Sequence, residues 1–145
     1  MHTFSEDEKY AFTQHLNNCL GKDPDLASRM PMDKDSMDIF ECCKDGLLLC
    51  KLINLAEEGS VDERALNKKA NMNVYQKTEN QNLAINAARS IGCQVVNVGP
   101  MDLIEGRPIL ILGLIWQIMK IQLTSDIELK EHPELVLLLE EVSLL

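Results

Sequence analysis

Residues 45–55 read Asp-Gly-Leu-Leu-Leu-Cys-Lys-Leu-Ile-Asn-Leu, and this stretch carries the strongest indication of the fold. From Leu47 to Leu55 it is apolar almost all round, as is typical of a helix at the centre of a protein. We therefore predict a long helix over residues 36–56. Gly46 costs a helix about 1 kcal/mol relative to alanine, so we expect it to permit the close approach of another backbone.

Three more helices are predicted around this one, over residues 6–20, 78–92 and 107–123. Sequence patterns typical of capping boxes begin at Ser5 and Thr78. The last helix is apolar on every face as far as Trp116, so we expect it to be the most buried and to lie at the centre. The β-branched stretch Cys93–Asn97 stands alone and has no sheet to join. The chain is therefore predicted to be all-α, with four main helices and shorter ones between them.

The composition restricts the class of function. The chain has 145 residues, 46% of them apolar, and a net charge of −9, which suits one domain. Such an acidic chain is a poor match for nucleic acid or for an anionic membrane surface. The apolar stretch 109–123 is shorter than the roughly 20 residues that cross a bilayer. We expect neither nucleic acid nor membrane as a partner.

Residues typical of catalysis or cofactor binding are not grouped in a recognisable motif. None of the three histidines, His2, His15 and His132, has a recognisable partner motif. The stretch 33–44 begins like a calcium loop but lacks the required glycine and glutamate. The five cysteines are odd in number and form no C-x-x-C, which predicts free thiols in a reducing cytosol. We expect a protein that is not an enzyme and that has no cofactor.

The sequence resembles calponin-homology domains in two signatures. Residues 45–55 resemble the central-helix signature of that family, and Gly113–Ile118 resemble its last-helix signature. Residues 91–99 resemble the loop between them, and the likeness covers about residues 5–123. Residues 62–69, 79–84, 120–123 and 126–129 further resemble the first such domain of fimbrins and plastins.

The resemblance implies a calponin-homology domain over residues 1–124 and a helical linker towards a following domain over 125–145. It implies an actin-filament-binding module of a fimbrin- or plastin-type cross-linking protein, working in the cytoplasm at the actin cytoskeleton. The expected partner is filamentous actin. We expect this piece to be monomeric, and we expect further calponin-homology domains in the full-length protein.

The actin-binding residues implied by the resemblance fall in three segments. Lys9 lies in the first helix, Lys68 and Lys69 lie in the connection before the third helix, and Asn97, Arg107 and Lys120 lie in the segment 97–123. The alternative is a calponin-homology domain that binds a signalling protein or microtubules instead. A microtubule binder should have a stronger basic face, because tubulin tails are acidic, and the charge of −9 counts against it.

Overall fold

A computed structural model of the chain describes residues 4–126. It contains six α-helices, four of them long: α1 Glu6–Leu20, α2 Asp38–Cys42, α3 Leu47–Ala56, α4 Val74–Ser90, α5 Pro100–Ile104 and α6 Pro108–Asp126. Two short 3₁₀ turns, Ala27–Arg29 and Glu63–Ala65, lie in the connections. Within residues 4–126 there is no β-strand, so the predicted all-α class with four main helices is confirmed.

The centre of the core is α3. Every residue from Leu47 to Ile53 is buried, and α3 packs against α1, α4 and α6. The expectation that α6 is the most buried helix is wrong, because Ile109 is 56% exposed and Trp116 is only partly buried. Trp116 stacks on Phe12 of α1, with ring centroids 6.1 Å apart and planes within 2° of parallel. The helix α6 therefore covers α3 with one face and turns its other face outwards.

The length of α6 also exceeds the prediction. By length and composition alone, its residues 108–125 would suffice to cross a membrane, a test that the buried core helix of a globular protein also passes. Here the apolar side chains Ile111, Ile115 and Ile118 are fully buried in the core. Packing inside the protein accounts for the apolar character of this helix.

The predicted continuous helix over 36–56 is wrong, because the chain breaks between α2 and α3. Gly46 stands at the break with φ of 81°, a left-handed conformation that glycine adopts without strain. A Cβ on Gly46 would lie 2.8 Å from the Cβ of Asn80 and 2.9 Å from the backbone nitrogen of Gln81. The close approach of another backbone is thus confirmed, and the neighbour is α4.

The start of α4 lies four residues before its predicted position. Asn73 is the N-cap, and its side chain and that of Gln76 form a reciprocal capping box. Thr78 is not a cap, because its hydroxyl donates to the Val74 carbonyl inside the helix, at 2.7 Å. The cap predicted for α1 is confirmed, since the Ser5 hydroxyl accepts from the backbone N–H three residues on, at 3.2 Å.

The other predicted connections are present. The stretch 93–97 is not a strand, and α5 is one of the shorter helices expected between the main ones. Apart from its first two residues, which end α6, the predicted helical linker at 125–145 lies outside the described residues.

Candidate functional site

A cluster of charges surrounds Lys51, in the middle of α3. The Lys51 side chain is 7% exposed, and its ammonium lies 2.6 Å from Asp25 Oδ2 and 3.3 Å from Asp23 Oδ2. It also donates to Glu63 Oε1. Burial opposes the charge of Lys51, but its hydrogen bonds to Asp25 and Glu63 dominate and raise its pKa above the ordinary value. The cluster joins three segments that are far apart in sequence, because a buried ammonium requires nearby carboxylates.

Lys68 belongs to the same cluster. Its Nζ lies 3.0 Å from Asp25 Oδ2 and 3.6 Å from Glu63 Oε1. Hydrogen bonds from Lys51 and then from Lys68 hold the pKa of Asp25 below its ordinary value. The pKa of Glu63 is lowered too, chiefly by its hydrogen bond from Lys51. The structure therefore places Lys68 at the surface, but against two carboxylates of the protein itself.

Lys69, the next residue, has a different environment. Its side chain is exposed, and among residues 4–126 no carboxylate lies within ion-pair distance of it. Arg64, the nearest base before this pair in sequence, is 3.0 Å from Asp62. Of these three bases, Lys69 is the one whose charge is not compensated by a neighbouring acid.

Lys9 is placed inside the protein. Its side chain is 4% exposed, with Nζ 3.0 Å from Glu6 Oε2 and donating to the Ser36 carbonyl at 2.8 Å. The ammonium thus ties α1 to the segment that precedes α2. In this conformation almost none of Lys9 is available to a partner.

Asn97 lies on a loop that is fastened to α6. Its φ of 59° is left-handed, a conformation that asparagine tolerates better than most residues. The Gln117 side chain accepts from the Gln94 backbone N–H at 2.7 Å and donates to its carbonyl at 3.0 Å. These two bonds fix the loop beside α6 and present Asn97 at the surface.

Arg107 and Lys120 mark two positions along α6. Arg107 precedes the helix, is 57% exposed, and pairs with Asp102 at 3.2 Å and Glu105 at 2.8 Å. Lys120 is half-buried, and its charge acts on the pKa of Cys93, which burial raises and Lys120 partly lowers. Lys120 therefore lies near the loop of Asn97, whereas thirteen residues of helix place Arg107 about 20 Å away.

The predicted residues do not form one site. The structure fastens the loop that leads to Asn97 to α6, three residues before Lys120, and it puts Lys68 in the Lys51 cluster with Lys69 next to it in sequence. Among the described residues, no hydrogen bond or ion pair joins these two regions directly. Since Arg107 and Lys120 alone are about 20 Å apart along α6, a partner that contacts both of them must span an extended surface rather than enter a pocket.

Open grooves do not supply a compact chemical site. A groove of about 590 Å³ is lined by Lys51, Leu55 and Glu58, and another of about 550 Å³ by Lys44, Met72 and Lys77, among others. Between residues 4 and 126 there is no group of three or more histidines, cysteines or carboxylates able to hold a metal ion.

Asn80 holds the connection before α4 in place, a role that the sequence did not predict. It is fully buried, and its amide group donates to the Asp45 carbonyl at 3.0 Å and to the Asn67 carbonyl at 2.9 Å. Its Oδ1 accepts from the Asn67 backbone at 2.9 Å. Asn80 thus positions the residue just before the lysine pair. The spacing of Asn80 with Ala84, four residues on, was a signal that this polar side chain faces the core.

The family model of the calponin homology (CH) domain matches residues 6–124. The chain belongs to the calponin homology domain family. The match covers the four long helices, apart from the last two residues of α6, and the stretch 45–55, and the predicted resemblance is confirmed.

Individual relatives of this calponin homology domain are fimbrins and plastins. It is 51% identical to Fimbrin-3 of Arabidopsis thaliana over 97% of the chain and 20% of that protein. It is 54% identical to Fimbrin of Dictyostelium discoideum over 97% of the chain and 23% of that protein. It is 48% identical to Plastin-1 of Homo sapiens over 97% of the chain and 22% of that protein. The chain spans about a fifth of the length of these relatives.

A solved structure agrees with the sequence relatives. The domain is similar to the crystal structure of the actin-crosslinking core of Schizosaccharomyces pombe fimbrin, with a TM-score of 0.81 and 42% identity. The match covers 83% of this chain and 26% of the fimbrin core.

Proposed function

We propose that this calponin homology domain binds actin filaments as one module of a fimbrin- or plastin-type cross-linking protein. The observation that carries the proposal is the similarity to the fimbrin actin-crosslinking core, at 42% identity over 83% of this chain. We infer a non-catalytic protein of the cytoplasm, associated with the actin cytoskeleton.

The proposed contact surface includes the first helix and two charged parts. One is the α6 side, with Asn97, Arg107 and Lys120, and the other is the 62–69 connection, at Lys69. The roughly 20 Å between Arg107 and Lys120 suits a filament, which is an extended partner, better than a small molecule. Lys9 belongs to the first-helix contact only because it lies in that helix. Its own ammonium donates a hydrogen bond inside the domain.

Binding of this kind requires no chemistry at the site. It depends on complementary surfaces and, in the whole protein, on several linked modules that raise the effective concentration of each other. A single module is monomeric in this proposal, and cross-linking requires a second module in the same chain.

The test is co-sedimentation of the purified chain with actin filaments and, in parallel, with microtubules. We expect saturable binding to actin filaments, weakened by salt, and no comparable binding to microtubules. Binding to microtubules alone would favour the alternative class of calponin homology domain and refute the proposal.

A matched pair of variants tests the α6 part of the surface. Arg107→Gln removes an exposed charge of the proposed surface, whereas Lys22→Gln removes an exposed charge that follows α1 and lies outside that surface. We expect the first variant to weaken filament binding and the second to leave it unchanged. Equal effects would exclude Arg107 from the interface.

A further inference from the structure

Resting on the proposed function, we propose that Lys69 supplies the positive charge of the 62–69 connection to an acidic filament, while Lys68 serves the fold. The two lysines are adjacent and look equivalent in sequence. Their surroundings in the structure are different, and this difference decides which charge a partner meets.

The Lys51 cluster uses the charge of Lys68. The cluster contains two ammonium groups, on Lys51 and Lys68, and three carboxylates, on Asp23, Asp25 and Glu63. Two positive and three negative charges leave this region with a net charge of −1. An acidic partner that approaches Lys68 therefore meets a region with no excess of positive charge.

An acidic partner would also have to compete for Lys68. Its ammonium already lies 3.0 Å from Asp25, and the hydrogen bond from Lys51 holds Asp25 in place. A contact that drew Lys68 away would leave that carboxylate with one partner fewer. Exchange of one ion pair for another gives little net free energy, because exposed pairs are worth only about 0–1 kcal/mol in the first place.

Lys69 lacks this internal competition. It is exposed, and within the described part of the chain no carboxylate pairs with it. The backbone two residues before it is fixed, since Asn67 is held by Asn80 through bonds of 2.9 Å in both directions. A charge on a fixed backbone can meet a partner with less loss of conformational freedom than one on a mobile loop.

The experiment compares Lys68→Gln with Lys69→Gln in the 145-residue chain, each measured by filament co-sedimentation at low and at high salt and by thermal unfolding. We expect Lys69→Gln to weaken filament binding about two- to fivefold at low salt and less at high salt, because an exposed charge is screened. Its melting temperature should not change. Lys68→Gln should lower the melting temperature and leave filament binding at either salt concentration unchanged.

The outcomes separate this inference from the function it rests on. If the unaltered chain does not bind filaments, the proposed function fails and the assignment of Lys69 fails with it. If the unaltered chain binds and Lys68→Gln weakens binding as much as Lys69→Gln does, only the division between the lysines is refuted. Lys68→Arg, which keeps the charge, should restore the melting temperature, and failure to do so would refute the role of Lys68 in the cluster.

Discussion

Substitution of Gly46 by alanine tests the contact on which the α2–α3 break depends. The new Cβ would lie 2.8 Å from Asn80 Cβ, 2.9 Å from the Asn80 carbonyl carbon and 2.9 Å from the Gln81 nitrogen. Two of these atoms are backbone atoms of α4 and cannot rotate away. Gly59 is a matched control, because its φ of 80° is almost the same and nothing lies within 4 Å of its Cβ position.

The expected loss of unfolding free energy has two causes, which the Gly59→Ala control separates. Alanine in a left-handed conformation costs about 1–2 kcal/mol at either position. The crowding against α4 adds about 1–3 kcal/mol at position 46 only, as overpacking of a core does. We therefore expect Gly46→Ala to cost about 2–5 kcal/mol of unfolding free energy and Gly59→Ala about 1–2 kcal/mol. The reduced flexibility of the unfolded chain offsets part of both costs and cancels in the comparison.

Urea unfolding followed by far-ultraviolet circular dichroism measures both values, and thermal unfolding gives an independent check. At roughly 4 °C per kcal/mol for a domain of this size, Gly46→Ala should melt about 4–12 °C below Gly59→Ala. Equal losses for the two variants would show that α4 moves aside at no cost. In that case the close backbone contact is not what sets the position of α3.

Three other predictions concern charge, thiols and valency. Asp25 and Glu63 have pKa values below their ordinary 3.8 and 4.5. Their ion pairs therefore stabilise the fold at a pH above the ordinary values, and this stabilisation is lost as the pH falls through the lower pKa of the folded state. The destabilisation by Asp25→Asn should hence be smaller near pH 3 than near pH 6 in urea unfolding; a loss independent of pH would contradict it. Burial raises the pKa of Cys50 to about 12 and that of Cys43 further still, so neither should react with a thiol reagent in the native state, and all five should react after denaturation without reductant; three or fewer would indicate a disulfide. One module offers one contact, so the chain should not bundle filaments, and efficient pelleting of filaments at low speed would refute that.

Local sequence patterns predicted most of the fold. The four long helices follow from apolar periodicity, and the cap at Ser5 follows from a short pattern. The capping box at the start of α4 is Asn-x-x-Gln over residues 73–76, whereas the similar pattern at Thr78 predicts a later start. Both satisfy the local rule, and only the packing of the preceding connection decides between them.

Long-range contacts account for what the sequence did not predict. The break before α3 depends on hydrogen bonds from Gln81 to the carbonyls of Cys43 and Lys44, more than thirty residues earlier. The apolar pattern continues through the break, so periodicity cannot locate it. Lys9 and Lys68 are of a residue type that usually lies free at the surface. Here they bond to Ser36 and Asp25, which are 27 and 43 positions away in the sequence. Residue type predicts the exposure of a side chain only where the fold places no partner from a remote part of the sequence beside it.

Because Trp116 stacks on Phe12, its fluorescence reports on the contact between these two side chains. Trp116 is the single tryptophan of the chain, and it lies at the contact between α1 and α6. Indole emission depends on the polarity around the ring, so any separation of these two helices exposes Trp116 to water and changes the signal. Urea unfolding of the domain, followed by this emission, will therefore report, without an attached dye, when the first helix leaves its place.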